Sequence, residues 1–532
     1  MAAFAKIRLV MLTGVACSIL AACGADGVAS PGEGSIIIPP GGGGTGGDGG
    51  GDGGTGGIKP AANCPSIVGN AQLTNAGIIE DRVKNNQWRI CQLPARFTQS
   101  TVLPKVAGVV YAISGRVDVG TDMGPTPVAG EASVTLGIEP GVVLYGESGP
   151  AWLAVNRGNR INAVGTPQQP IIFTGRRNVE GNADDNTSQL WGGVVLLGRA
   201  PITDCLNPGP GVVEGTASCS RDTEGASGAL YGGATVDDNS GQMSYVQIRY
   251  SGYTLQPDKE LQGLTPSGVG NKTKLDHIQV HNSSDDGIEV FGGRVNMSHL
   301  VLTGNDDDTL DTDVGYKGNI QHVIAVQRIG GTSGDSIMEI DSDGNENAVP
   351  RQNVKIANFT FIQRNNAAGN GAAIRIRGGA DYSFANGVIV SPGISCLRID
   401  SATTVQPADP GMDEAGPPQF FSVNMQCGSR AFRGGGGVVT DDAVRSIFEM
   451  GTQNSSTFIP SLIDLFINGA AETGRPAFDV TSWNTGGSTF FTPANYIGAV
   501  RDANDDWYKG WTCNSGTANF GSTSKSCADI PA

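Results

Sequence analysis

Residues 274–316 read KLDHIQVHNSSDDGIEVFGGRVNMSHLVLTGNDDDTLDTDVGY. In that stretch a polar residue followed by a short apolar strand occurs twice, as His277-Ile-Gln-Val and His299-Leu-Val-Leu. The pattern extends outward. Tyr245-Val-Gln-Ile precedes it, and His322-Val-Ile-Ala, Asn358-Phe-Thr-Phe and Asn386-Gly-Val-Ile follow, at successive spacings of 32, 22, 23, 36 and 28. A second column accompanies the first: Asp286-Gly-Ile, Asp308-Thr-Leu and Asp335-Ser-Ile. A unit of roughly 22 residues holds two or three short strands and their turns, too little to bury its own apolar side. Stacking units coaxially pairs each strand with its equivalents above and below and closes one core. Insertions at turns lengthen some units without disturbing the stack. A β-sandwich also has short strands, but it would not keep two columns through consecutive units.

The rest of the chain agrees. Short runs rich in Val, Ile and Leu, such as 108–119, 134–144 and 191–197, are bounded by Gly, Pro or Asn, which is a strand signal. Eighty glycines and few aromatics suit many turns. The expected fold is all-β: a right-handed parallel β-helix over 105–432, preceded by a segment at 60–104 and followed by a mixed C-terminal cap at 433–532. Gly434–Gly437 marks the break, 441–450 and 460–468 could be short helices, and Tyr496, Trp507 and Trp511 would help close the open last rung.

The N-terminus sets the compartment. Lys6 and Arg8 precede an apolar run from Leu9 to Leu20. That run is too short for the roughly 20 residues of a membrane helix, so 1–22 reads as a secretory signal. Its ending, Leu20-Ala-Ala-Cys23, resembles the bacterial lipobox. That resemblance implies acylation of Cys23 and three acyl chains, enough for stable anchoring. Gly24, where Asp would imply inner-membrane retention, points to the outer membrane. Residues 23–59 are the lipidated Cys and a tether centred on GGGGTGGDGGGDGGTGG. A Gly-rich coil of this length spans roughly 30–36 Å.

Eight further cysteines, Cys64, Cys91, Cys205, Cys219, Cys396, Cys427, Cys513 and Cys527, form four sequential pairs at short spacings. An oxidising compartment makes local disulfides the simplest expectation. The net charge of −16 argues against nucleic-acid partners and gives affinity for cations.

Further runs are similar to a large family of bacterial surface β-helix lipoproteins. They are Gly165-Thr-Pro-Gln-Gln-Pro-Ile-Ile-Phe-Thr, Trp191-Gly-Gly-Val-Val-Leu-Leu-Gly-Arg-Ala-Pro, Asp285-Asp-Gly-Ile-Glu-Val-Phe-Gly-Gly, Asp306-Asp-Asp-Thr-Leu-Asp-Thr-Asp-Val-Gly-Tyr and Tyr496-Ile-Gly-Ala-Val with Trp511-Thr. The resemblance covers most of 105–513. It implies the fold and, by analogy, ligand capture beside TonB-dependent outer-membrane receptors.

Three constellations carry possible chemistry. Asp286, Asp308, Asp311, Asp313 and Asp335 fall on neighbouring rungs about 4.8 Å apart, where stacked carboxylates repel unless a proton or a hard cation such as Ca²⁺ intervenes. The plainer alternative is that Asp caps tight turns. Asp285, Asp286, Asp307 and Asp308 could instead be drawn as the paired acids of a polysaccharide hydrolase, or serve a lyase with Arg294 or Lys317 as base. No hydrolase or lyase motif accompanies them. His277, His299 and His322 share one position on consecutive rungs. Alternation places Ile278 and Val280 inward and His277 and His281 outward, so the ladder would be exposed, binding a transition metal or simply stacking flat rings. The leading expectation is a non-enzymatic surface lipoprotein that binds a ligand or glycan. A glycan-degrading enzyme and a structural spacer are the alternatives.

Overall fold

The structure, a computed structural model, describes residues 57–68, 72–257, 259–330, 336–364, 371–435 and 437–531. Cys23, nearly all of the tether and Asp335 lie outside the described residues.

Two long sheets run along the molecule, one of sixteen strands and one of eleven. Each rung contributes a long strand to the first, such as Lys274–His281 and Asn296–Thr303, and a short one to the second, such as Ile288–Phe291 and Leu310–Asp313. Pairing between rungs is parallel: Ile278, Leu300, Val323 and Phe359 stand in one row, and Ile288, Leu310, Met338 and Ile374 in another. These side chains are fully buried and form the continuous core. This is a right-handed parallel β-helix.

The first sequence column has a backbone cause. Tyr245, His277, His299, His322, Asn358 and Asn386 all have φ between 53° and 62°. Pairing skips them: Asp276 pairs with Ser298 and Ile278 with Leu300, leaving His277 and His299 unmatched. Each long strand therefore bends at this residue and serves two faces, giving a three-sided coil. Asn and His tolerate the left-handed region better than most side chains, which accounts for the residue types in the column.

All four sequential cysteine pairs are disulfide-bonded, with Cα–Cα distances from 4.8 to 5.5 Å. The open C-terminal rung is closed by the helix Asp441–Met450. Thr440 caps its N-terminus, and Val444, Ile447 and Phe448 are buried, with Phe448 against Phe420 and Phe432. The expected second helix at 460–468 is absent: no described residue there is helical.

Directly beyond that helix Thr452 and Ser455 add parallel bridges to Phe421 and Asn424 of the last rung, and only then does the chain leave the end. It runs back along the bent face as a strap. Phe478 meets Asn386, Tyr496 meets Asn358, Cys513 meets Gln279, and Asp529 reaches Arg249 and Lys84 near the first rungs. The strap crosses the strands, so it cannot join their ladder. Side-chain amides satisfy its backbone instead. Gln279 donates to the Cys513 carbonyl at 3.1 Å and accepts its N–H at 2.7 Å. Asn386 pairs both ways with Phe478 at 3.0 and 2.7 Å.

Candidate functional site

The second sheet's outward face carries the acidic residues. Ile288 and Val290 enter the core, so Glu289 points the other way. In register with it stand Asp311, Glu339 and Arg375, and Asp313 pairs with Asp341. The later rungs are neutralised. Arg377 lies 3.0 Å from Glu339 and 2.7 Å from Asp341, and Arg375 lies 2.9 Å from Glu339.

Further back in the same row Asp118 is held by Arg96 and Arg116, but among the described residues no such ion pair reaches Asp285, Asp286 or Glu289. Asp285, Asp286 and Glu289 are buried, and they bring carboxylate oxygens within 4.8 Å of one another. Unit charges at that separation repel by about 3–4 kcal/mol at an effective dielectric of 20. Burial, and then the neighbouring carboxylates, push Asp285, Asp286 and Glu289 well above the ordinary range. Asp311 and Asp313 are raised the same way. Both oxygens of Glu289 lack a hydrogen-bond partner.

An insertion between the strands Gly193–Leu197 and Gly241–Arg249, with the hairpin strands Thr254–Gln256 and Lys259–Glu260, seals the cluster. Tyr231 stacks on Phe291, the Thr223 and Ser267 hydroxyls lie 2.8 Å apart, and the Gln262 amide donates to Asp285 at 3.2 Å and to Glu224 at 3.4 Å.

Part of the turn expectation is also visible. Asp286 Oδ1 accepts the Asp308 N–H at 2.8 Å, and Asp308 Oδ1 accepts the Ser336 N–H at 2.9 Å. Asp306 instead pairs with Arg328. The two cations suggested as lyase bases are engaged: Arg294 donates to the Gly315 carbonyl at 2.9 Å, and Lys317 lies 2.5 Å from Asp413. Glu289 and Glu224 were missed in the sequence. Alternation with Ile288 and Val290 could have found Glu289. Glu224 sits in an insertion that carries no repeat.

The histidine ladder is not exposed, contrary to the alternation argument, because the strap lies on it. Trp507 packs on His299 at 5.1 Å and Trp511 on His277 at 5.5 Å, and His281 is fully buried. His277 and His299 stack at 4.3 Å with planes 16° apart, as do His299 and His322 at 4.9 Å. Asp276, His277 and His299 bring one ligand atom each within 4.8 Å of one another, whereas His322 is not part of that group. Asp276 accepts from Nδ1 of His277 at 2.8 Å and of His299 at 2.9 Å.

Burial pushes His322 down to about 3. In the unfolded chain it titrates near 6.5, so its contribution to stability is complete above that pH and is lost as pH falls toward 3. Substituting Asn, the residue at 358 and 386, should make the variant lose less stability than the parent between pH 8 and pH 5. The difference is about 2 kcal/mol, read from urea unfolding at both pH values. Equal losses would contradict it.

A separate cleft of about 820 Å³ lies on the first sheet near the N-terminal rungs. Its floor is Val102, Gly137, Asn162 and Gln242 in register, continuing to Lys274. The Gln242 amide donates to Asn162 at 2.6 Å. Arg160, Lys272 and Lys274 lie along it, and Glu139 is its one carboxylate among the described residues.

A sealed acidic cluster on one face and an open, largely apolar cleft bearing Asn162, Asn239 and Gln242 on another, carried by a three-sided coil, define a β-helix protein whose fold alone does not dictate chemistry. The model of the pectate-lyase-like β-helix domain matches residues 123–456, more than half of the chain, and the protein belongs to that family. No curated protein and no solved structure matches it.

Proposed function

We propose that the protein is an exported lipoprotein, anchored through Cys23 and held off the outer membrane by its glycine tether. On this reading the β-helix captures a ligand, a glycan in the first instance, beside an outer-membrane receptor, without turning it over. One observation supports this most directly: the cleft and the acids are in different places. Among the described residues the cleft with room for a ligand has a single carboxylate, Glu139, whereas glycoside hydrolysis uses two. The carboxylates of Asp285 and Asp286 are buried beneath the insertion and lie closer together than the roughly 5–9.5 Å that retaining and inverting hydrolases use. Membership of a pectate-lyase-like β-helix family fixes the fold and not one chemistry.

The test is a glycan panel offered to the mature chain. Binding without new reducing ends or unsaturated products is expected, and Asn162→Ala with Gln242→Ala should weaken it by about tenfold, in line with two lost hydrogen bonds. Cleavage that disappears in Asp286→Asn would overturn the reading, and no binding to any glycan would favour a spacer. Protease shaving of intact cells tests exposure at the surface.

A further inference from the structure

We propose that Asp285, Asp286 and Glu289 hold one hard divalent cation of the Ca²⁺ type, buried between the β-helix and its insertion. The site's office is structural, fastening the insertion to the coil, and it stands whether or not the cleft binds a glycan. Three observations converge on it. The carboxylate oxygens of these residues gather within 4.8 Å. Glu289 is fully buried, yet neither of its oxygens has a hydrogen-bond donor. The arginines of the same outward row lie toward its two ends, Arg96 and Arg116 on Asp118 and Arg375 and Arg377 on Glu339 and Asp341, and none of these pairs includes Asp285, Asp286 or Glu289.

A buried carboxylate needs donors, a proton or a cation. Glu289 has no donor. A proton on each of three carboxyls would still leave its oxygens unmatched, whereas one cation satisfies all three at once. The oxygen-only set excludes a preference for soft metals. Its burial suits Ca²⁺, which accepts six to eight oxygens flexibly, over Mg²⁺, which retains its waters. Glu224 of the insertion approaches the same group through the shared Gln262 amide, at 3.4 Å from it. A cation here would therefore draw the insertion and the coil together.

The experiment uses the full mature chain. After equilibration with Ca²⁺ and gel filtration, metal analysis should find about one Ca²⁺ per chain, and Tm should be several degrees higher in millimolar Ca²⁺ than in EGTA. Glu289→Gln should bind Ca²⁺ at least about tenfold more weakly and lose the Ca²⁺-dependent rise in Tm. In EGTA the same variant should melt above the parent, because one uncompensated buried charge is gone. A side chain that merely packs would give the opposite order in EGTA. Asp505→Asn, in the strap, should leave the Ca²⁺ response unchanged. Retention of no Ca²⁺ with superimposable melts in Ca²⁺ and EGTA would overturn the proposal, as would Ca²⁺ binding by Glu289→Gln equal to that of the parent.

Discussion

Trp511→Ala is expected to cost about 3–5 kcal/mol and to release the C-terminal strap from the coil. Trp511 is fully buried. Its ring meets Tyr245 at 6.1 Å and His277 at 5.5 Å, and its indole N–H donates to the Trp507 carbonyl at 2.7 Å. Removing it opens a cavity where the strap crosses two of the bent rungs. It also loosens the segment that brings Cys513 to Gln279. Limited proteolysis should cut the variant within 500–531 under conditions that leave the parent whole, while the β-sheet circular dichroism persists. Trp511→Phe should recover much of the loss. Unchanged protease resistance in Trp511→Ala would show that the strap does not depend on this contact.

The second large effect is at Arg351. Its guanidinium is 1% exposed, lies 2.5 Å from Glu414 and 3.7 Å from Asp381, and also donates to the Glu346 and Gly379 carbonyls. Arg351→Met leaves two buried carboxylates without their cation, and breaking such a group costs about 3–5 kcal/mol. Asp381 is already pushed up to about 8, first by burial and then by its hydrogen bond to Glu414, with Arg351 opposing. Without the arginine, which opposes that rise, Asp381 goes further up. A carboxyl raised above its unfolded value destabilises the fold as pH climbs from about 4 through the folded pKa. The deficit of Arg351→Met in urea unfolding should therefore be largest at pH 8 and shrink toward pH 4. Adding Asp381→Asn and Glu414→Gln should restore much of it. A deficit that does not change with pH would assign the cost to lost packing instead.

Much of the coil was legible because it repeats. The rows from Tyr245 to Asn386 recur, since each rung must bend at the same place, and the inward residues of every strand must be apolar. Local disulfides were legible from spacing. The strap was not: it passes along the coil once, so nothing in 459–531 recurs, and its apolar residues read as a terminal cap. That omission also misdirected the histidines. Alternation correctly turned His277 away from the core, but could not foresee Trp507 and Trp511 lying over it. The acidic face was half legible. The Asp runs drew notice as a row, while Glu289, whose two oxygens are the least satisfied of the group, looked like one polar residue in an ordinary strand. What seals the cluster, the insertion with Glu224 and Tyr231, obeys no period and left no trace to read.

The returning strap alters how such a coil comes apart. In a stack whose units touch only their neighbours, the terminal rungs fray first and each end loosens without consulting the other. Here Ile530 packs in one cluster with Ile79 and Trp88, and Asp529 pairs with Lys84. The far end of the strap is thus in contact with the initial strands of the coil. Fraying of the initial rungs must detach the tail, and a detached tail uncovers bent rungs far along the molecule. The two ends of the coil become one unit of opening, and the coil is not fully covered until the strap has docked.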